Sequence, residues 1–117
     1  MESATADPQG LRTFEEILGK TSSQPLVGVR ELSINHLFAH VWNRPHLDRR
    51  ERSLITIALL AAQGRTDQLR DHIRGARKRG IPKEEIIETM VQVAHYAGWA
   101  AGMSGQIIAE SVFEETE

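Results

Sequence analysis

The chain contains no cysteine, which excludes disulfide bonds, thiolate metal sites and thiol nucleophiles. Aromatic residues make up only 5% of its 117 residues, and no apolar run approaches the roughly 18 residues that a membrane span needs. The first ten residues lack the basic and then apolar pattern of a secretory signal. These absences predict a cytoplasmic protein, and the length fits one domain because domains usually take roughly 100–200 residues.

Apolar residues recur at three- and four-residue intervals, which predicts helices. No alternating run rich in Val, Ile or Thr is present, so we expect an all-α domain of about five to six helices. Residues 1–12 are polar and are predicted to form a mobile tail, which leaves residues 13–117 as the helical domain. A short helical turn is expected at Phe14–Leu18, before a loop.

The boundaries of the later helices follow from capping residues. Asp48 and Glu51 form a capping-box pattern ahead of an apolar stripe, and Gly64 suits the end of that helix. A preceding helix is expected to run from about Val29 to Asn43, since Pro45 disfavours helix at the residue before it. Three more helices are predicted to start at or near Thr66, Pro82 and Trp99.

The helix that starts near Pro82 has a wide apolar face, because Ile87 and Val91 extend the stripe of Ile86 and Met90. This width favours a homo-oligomer in which subunits cover each other's helices, although a well-covered core helix explains it equally. A stretch of small residues over 97–105 predicts that two backbones approach closely there.

Charge is distributed unevenly along the chain. Residues 44–79 hold ten Lys or Arg and four Asp or Glu, although the whole chain carries a net charge of −2. This excess predicts a surface that faces an anion such as a carboxylate substrate, with a solvated helix face as the alternative. Nucleic acid is not expected, because no recognised binding motif or set of stacking aromatics accompanies the basic residues.

Two features stand out among the five histidines. His36 and His40 have a helical spacing that can place two imidazoles on one metal ion, but no further ligands are indicated and no metal site is predicted. His72 adjoins the apolar positions Leu69 and Ile73 of its helix. A half-buried imidazole is the usual proton donor or acceptor near neutral pH, and a packed structural histidine is the other interpretation.

The run Trp42–Leu54, WNRPHLDRRERSL, resembles the WxRPxLDRRxRSL signature of the carboxymuconolactone decarboxylase family, within the alkylhydroperoxidase D-like superfamily. The resemblance covers about residues 30–112 with matching spacing. It implies a helical-hairpin core, assembly into trimers or hexamers, and decarboxylation of an anionic carboxylated lactone without a cofactor. In the peroxidase branch two cysteines precede a histidine that corresponds to His72. Arg65 and Gln68 occupy those positions here, which excludes thiol peroxidase chemistry.

The resemblance also implies roles for single residues. His72 is the predicted proton donor or oxyanion partner, because electrons released with CO2 flow into the lactone carbonyl. His40 is the second catalytic candidate, since the family usually has a glutamate at that position. The predicted substrate-binding residues are Trp42, Arg44, Arg50 and His95. Ordinary core packing is the alternative for Trp42, and an ion pair to an acid of the protein is the alternative for Arg50.

The sequence departs from the family pattern at three places. These are His40, the pair Lys78 and Arg79 where two asparagines are usual, and His95 together with Ala100. Two other functions therefore stay open. One is a related cofactor-free isomerase, dehydratase or hydrolase acting on a lactone or polyketide-like compound, and the other is a non-catalytic oligomeric binding protein.

Overall fold

A computed structural model describes residues 2–115, and over that range it contains helices and turns but no strand. The six α-helices are α1 (Pro8–Leu18), α2 (Val29–Leu32), α3 (Arg49–Gln63), α4 (Thr66–Lys78), α5 (Lys83–Ala97) and α6 (Trp99–Glu114). A π-helical segment, Ser33–Phe38, continues α2, and a 3-10 turn, Val41–Asn43, follows it. The predicted all-α fold is confirmed. None of the helices in the described range is long and apolar enough to cross a membrane.

Helix α1 begins earlier than the sequence predicted. The Asp7 carboxylate accepts hydrogen bonds from the N–H groups of Gln9 and Gly10, and Pro8 occupies the first helical turn, where its missing N–H costs nothing. Residues 8–12, which were expected in the mobile tail, are therefore helical. A Cβ at Gly10 would lie 2.0 Å from the Ile34 carbonyl oxygen, so α1 packs directly against the π-helical segment.

The predicted boundaries of α3 are confirmed. Asp48 accepts a hydrogen bond from the Glu51 N–H at 2.8 Å, and Glu51 accepts one from the Asp48 N–H at 2.9 Å. Gly64 ends the helix in the left-handed conformation, with φ of 69°. This capping box fixes where α3 begins, immediately after the 3-10 turn that carries Trp42.

The prediction of one regular helix from Val29 to Asn43 is wrong. The chain changes to π-helical geometry at Ser33, and its regular hydrogen bonding ends at Phe38. The Asn43 side-chain amide donates to the carbonyls of Phe38 and Ala39, both at 3.1 Å. Because these bonds satisfy carbonyls that the ended helix leaves free, a side chain from beyond the helix stabilises its end.

The apolar core has two parts. The larger part lies among α3, α4, α5 and α6, and the smaller part lies under α1. Gly75 of α4 holds the two parts together, since a Cβ there would lie 1.7 Å from the Ile17 carbonyl oxygen of α1. The largest buried side chains of the main core are Ile57, Leu69, Ile73, Ile86, Met90 and Val112, and the smaller core contains Ile17, Leu18, Phe38 and Trp42.

Helices α5 and α6 form a hairpin joined at Gly98, whose φ of 118° favours glycine. A Cβ at Gly102 would lie 2.5 Å from the Ala94 Cβ and 2.7 Å from the Met90 carbonyl oxygen. The predicted close approach of two backbones is thereby confirmed. On its outer side the hairpin leaves large apolar side chains exposed, namely Val91, Tyr96, Trp99, Met103 and Ile107.

Candidate active site around His72

His72, on α4, packs against the 3-10 turn that precedes α3. Its ring stacks on the Trp42 indole, with 6.0 Å between the ring centroids and 17° between the ring planes. Trp42 in turn stacks on Phe38 at 5.8 Å. Two residues that the sequence singled out are thus in direct contact, with an apolar aromatic surface behind them.

The surroundings of His72 favour the neutral imidazole. Burial lowers the pKa of His72 to about 4; the negative charge of Asp71 opposes this shift, and the positive charges of Arg79 and Lys20 add to it. The ring is therefore uncharged at neutral pH. Its Nδ1 atom is buried and has no hydrogen-bond partner within residues 2–115.

A cluster of polar side chains lies between α1, α3 and α4, and we call it the polar cluster. Arg49 is its centre, since the guanidinium donates to Glu16, to the side-chain oxygen Oδ1 of Asn43 and to the Thr13 hydroxyl. Asn43 also donates to Thr13, at 3.2 Å. The members of the polar cluster are Thr13, Glu16, Asn43, Arg49, Ser53 and Arg79.

Arg79 is the member of the polar cluster whose charge reaches His72. Its guanidinium donates to the fully buried Ser53 hydroxyl, while its Nε atom is buried without a partner in the described range. Burial lowers the pKa of Arg79, and the nearby Arg49 adds to this, while Glu16 opposes it. A buried polar atom without a partner costs on the order of 1–3 kcal/mol, so such atoms are uncommon and call for an explanation. Over residues 2–115 the two such side-chain atoms are His72 Nδ1 and Arg79 Nε.

A groove of about 170 Å³ lies beside the 3-10 turn and is lined in part by Trp42. Its walls are mostly apolar, with Leu37 and Ile55 among them, and Arg52 supplies a positive charge. The Arg52 guanidinium donates to the backbone carbonyl of Leu47 at 3.2 Å, which holds it at this edge. Trp42 therefore connects His72 to a concave surface that carries a cation.

The other predicted site residues lie elsewhere on the chain. His40 and Arg44 are exposed, and Arg50 is paired with Glu85 at the surface. His95 lies in a small groove of about 90 Å³ between α5 and α6, with its ring 5.4 Å from that of Trp99. Within the described residues, no hydrogen bond, ion pair or ring contact joins any of these four side chains to His72. Their predicted roles stay predictions.

The histidine pair is the remaining feature that the sequence raised as a metal site. His36 lies in the π-helical segment and His40 in the turn after it; both are exposed, and their rings lie 6.3 Å apart. No third His, Asp or Glu side chain in the described part of the chain completes a metal-binding group there or elsewhere.

Sequence reasoning did not assign the polar cluster to the site. Arg49 and Ser53 fall within the signature run, but their contacts with α1 depend on the folded chain. Arg79 was noted only as a departure from the family pattern. The available signal was its spacing, because position 79 follows 72 and 75 at helical intervals and ends the helix that Gly75 brings against α1.

Comparison with known proteins places this site within a family. The sequence pattern of the carboxymuconolactone decarboxylase family matches residues 29–110. The chain belongs to this family. The matched range includes Trp42, His72 and Arg79, so the candidate site lies within the part that defines the family, and the resemblance seen in the sequence is confirmed.

Three relatives show how far the similarity extends. A 4-carboxymuconolactone decarboxylase of Acinetobacter baylyi is 36% identical over 115 residues, which cover 92% of this chain and 86% of that protein. A nitrosuccinic acid decarboxylase, npaB, of Metarhizium robertsii is 33% identical over 74% of this chain and 60% of that protein. An uncharacterized 15.0 kDa protein from the nqo9-nqo10 intergenic region of Paracoccus denitrificans is 37% identical over 68% of this chain and 61% of that protein.

Proposed function

We propose that the protein is a decarboxylase that removes CO2 from a small anionic substrate, with His72 at the reaction centre. Two members of its family that it resembles are named as decarboxylases. The observation that carries the proposal is the neutral, half-buried imidazole stacked on Trp42. A chain without cysteine offers no thiol for the peroxidase chemistry of the related branch.

The proposed reaction breaks the bond between the substrate carbon and its carboxylate. The electron pair that stays behind moves into a conjugated acceptor, which is the carbonyl group of a lactone or the nitro group of nitrosuccinate, and produces an enolate or nitronate oxygen. A carbon of this conjugated system then takes up a proton from water. This scheme uses no cofactor, because the substrate's own acceptor group takes the electron pair. A hydrogen-bond donor beside that oxygen lowers the barrier, since the negative charge there grows as CO2 leaves.

His72 suits the role of that donor. The sequence left two roles open for it, proton donor and oxyanion partner, and its low pKa favours the second because the ring carries only one proton at neutral pH. A neutral imidazole still donates one N–H bond. Trp42 covers one face of the ring, which keeps water away and strengthens the hydrogen bond.

Self-association is part of the proposal. The family resemblance implies trimers or hexamers, and the exposed apolar side of the α5–α6 hairpin supports contact with further copies of the chain. The cytoplasmic location expected from the sequence stays a prediction.

The direct test is CO2 release from 4-carboxymuconolactone and from nitrosuccinate by the wild type, His72→Gln and His36→Gln. We expect release from at least one of the two compounds, a loss of about 10²- to 10³-fold in His72→Gln, and no loss in His36→Gln, whose exposed ring is the matched control. Equal rates in the wild type and His72→Gln would remove His72 from the mechanism. No release from either compound by the wild type would overturn the proposed substrate class.

A further inference from the structure

The polar cluster contains two guanidinium groups and one carboxylate. Arg49 forms an ion pair with Glu16, whereas Arg79 has no carboxylate partner among the described residues. Its hydrogen-bond acceptor is a neutral hydroxyl, that of Ser53. Since removing a cation from water is unfavourable, a half-buried guanidinium is normally paired with an acid. The fold thus leaves Arg79 beside the candidate site without an ion pair in the described range, and the nearby charge of Glu16 does not offset its burial, since the pKa of Arg79 stays lowered.

Arg79 and His72 belong to the same site. His72 lies on α4 and Arg79 directly follows the last residue of that helix, seven positions further along, and the positive charge of Arg79 acts on the imidazole. Both residues are partly exposed. Each also has one buried nitrogen without a partner. Both observations point to one anionic ligand that is shared by the two residues.

We propose that Arg79 determines specificity by binding a carboxylate that the substrate keeps after CO2 has left. This inference rests on the proposed decarboxylation. A guanidinium on the departing carboxylate would oppose the reaction, because it stabilises a charge that the transition state is losing. A carboxylate that stays on the product keeps its charge throughout, so binding it orients the substrate without raising the barrier.

Ser53 holds the guanidinium ready for this ligand. A carboxylate is a stronger acceptor than a hydroxyl and binds a guanidinium through two parallel hydrogen bonds. It therefore displaces Ser53 as the acceptor and provides Arg79 Nε with a partner. The substrate class that fits is a dicarboxylate, in which one carboxylate binds Arg79 and the other is released as CO2 in the environment of the neutral His72.

The test compares the binding of succinate and succinamide, which share one carbon skeleton and differ in that neutral amides replace the carboxylates. Calorimetric titration is carried out on the wild type, Arg79→Gln, Arg79→Lys and Arg70→Gln. Arg70 is the matched control because it lies on α4, the helix that Arg79 follows, and donates to a serine hydroxyl, that of Ser111, at 3.1 Å. We expect the wild type and Arg70→Gln to bind succinate at least tenfold more tightly than succinamide. Arg79→Gln should lose this preference, and Arg79→Lys should keep part of it.

Turnover provides the second measurement. Arg79→Gln should raise KM for 4-carboxymuconolactone at least tenfold with kcat little changed, since the retained carboxylate is bound equally in the ground and transition states. A folded Arg79→Gln that keeps both the succinate preference and the wild-type KM overturns the inference, even if CO2 is released normally. If Arg79→Gln fails to fold, an Arg79→Lys variant with wild-type preference and KM overturns it. Loss of the preference in a protein that releases no CO2 would sustain the anion site and refute the decarboxylation.

Discussion

Trp42 and His72 stack face to face, with their ring planes 17° apart, and this contact places a titratable ring against an apolar one. Trp42 belongs to the small core under α1, so the stack also joins the candidate site to the packing of that helix. Because the indole excludes water from one face of the imidazole, the properties of His72 depend on Trp42 as much as on the groups that carry charge.

Removal of the indole should therefore change the titration of His72. Trp42→Ala hydrates the imidazole and should raise the pKa of His72 from about 4 towards its usual 6.5, whereas Trp42→Phe keeps an aromatic face and most of the shift. The truncation should also cost about 3–5 kcal/mol of stability. NMR titration of the His72 ring protons measures the pKa. Trp99→Ala is the control, since Trp99 is 65% exposed and should leave His72 unaffected.

The low pKa of His72 also predicts how stability depends on pH. Between pH 4 and 6.5 the unfolded chain binds a proton at this residue and the folded chain does not, so the free energy of unfolding rises with pH across that window. The contribution is complete above about pH 6.5 and falls by about 3 kcal/mol as the pH approaches 4.

Denaturant unfolding of the wild type and His72→Gln across this window measures the effect. The variant should show a shallower dependence on pH, and identical slopes for the two proteins would contradict the assignment. Glu115 does not interfere, since Arg74 lowers the pKa of Glu115, and that carboxylate is present in both proteins.

The boundaries of α3 were predictable because the capping box and the terminal glycine lie within the helix and its first neighbours. The end of the preceding helix was not. Asn43 caps it, and Asn43 is held by Thr13 and Arg49, which lie on α1 and α3. A helix end that depends on contacts between distant segments leaves no local signal in the sequence.

The candidate site was likewise predictable only in part. Trp42 and His72 were found through the signature and the family histidine, although nothing in their spacing indicates that their rings stack. The proposed role of Arg79 depends on the fact that Glu16 forms its ion pair with Arg49 and not with Arg79. This pairing is determined only when α1 packs against α3 and α4. The charge balance of a buried cluster is a property of the fold, so pattern analysis did not detect it.

Arg50 and Arg79 are two candidates for binding the substrate, and the structure favours Arg79. Arg50 is paired with Glu85 at the surface, and this hydrogen bond raises the pKa of Arg50 further. We expect Arg50→Gln to change KM for 4-carboxymuconolactone by less than about twofold and to leave the midpoint of unfolding nearly unchanged, because exposed ion pairs contribute little. Steady-state kinetics of Arg50→Gln, carried out in parallel with Arg79→Gln, measures this change in KM. A tenfold rise in KM for Arg50→Gln would restore the sequence-based prediction that Arg50 binds the substrate.

The apolar stripe on α6 predicts how the chain assembles. Trp99, Met103 and Ile107 are spaced four residues apart and are each more than half exposed, so they form a continuous row that water solvates poorly. We expect the wild type to sediment as an oligomer of the 13.1 kDa chain and Ile107→Lys to shift it towards the monomer, since a charge in an apolar contact must be desolvated. Val29→Lys is the control, because Val29 is 81% exposed at the start of α2 and outside this row. A wild type that sediments as a monomer at micromolar concentration would show that this row does not join copies of the chain.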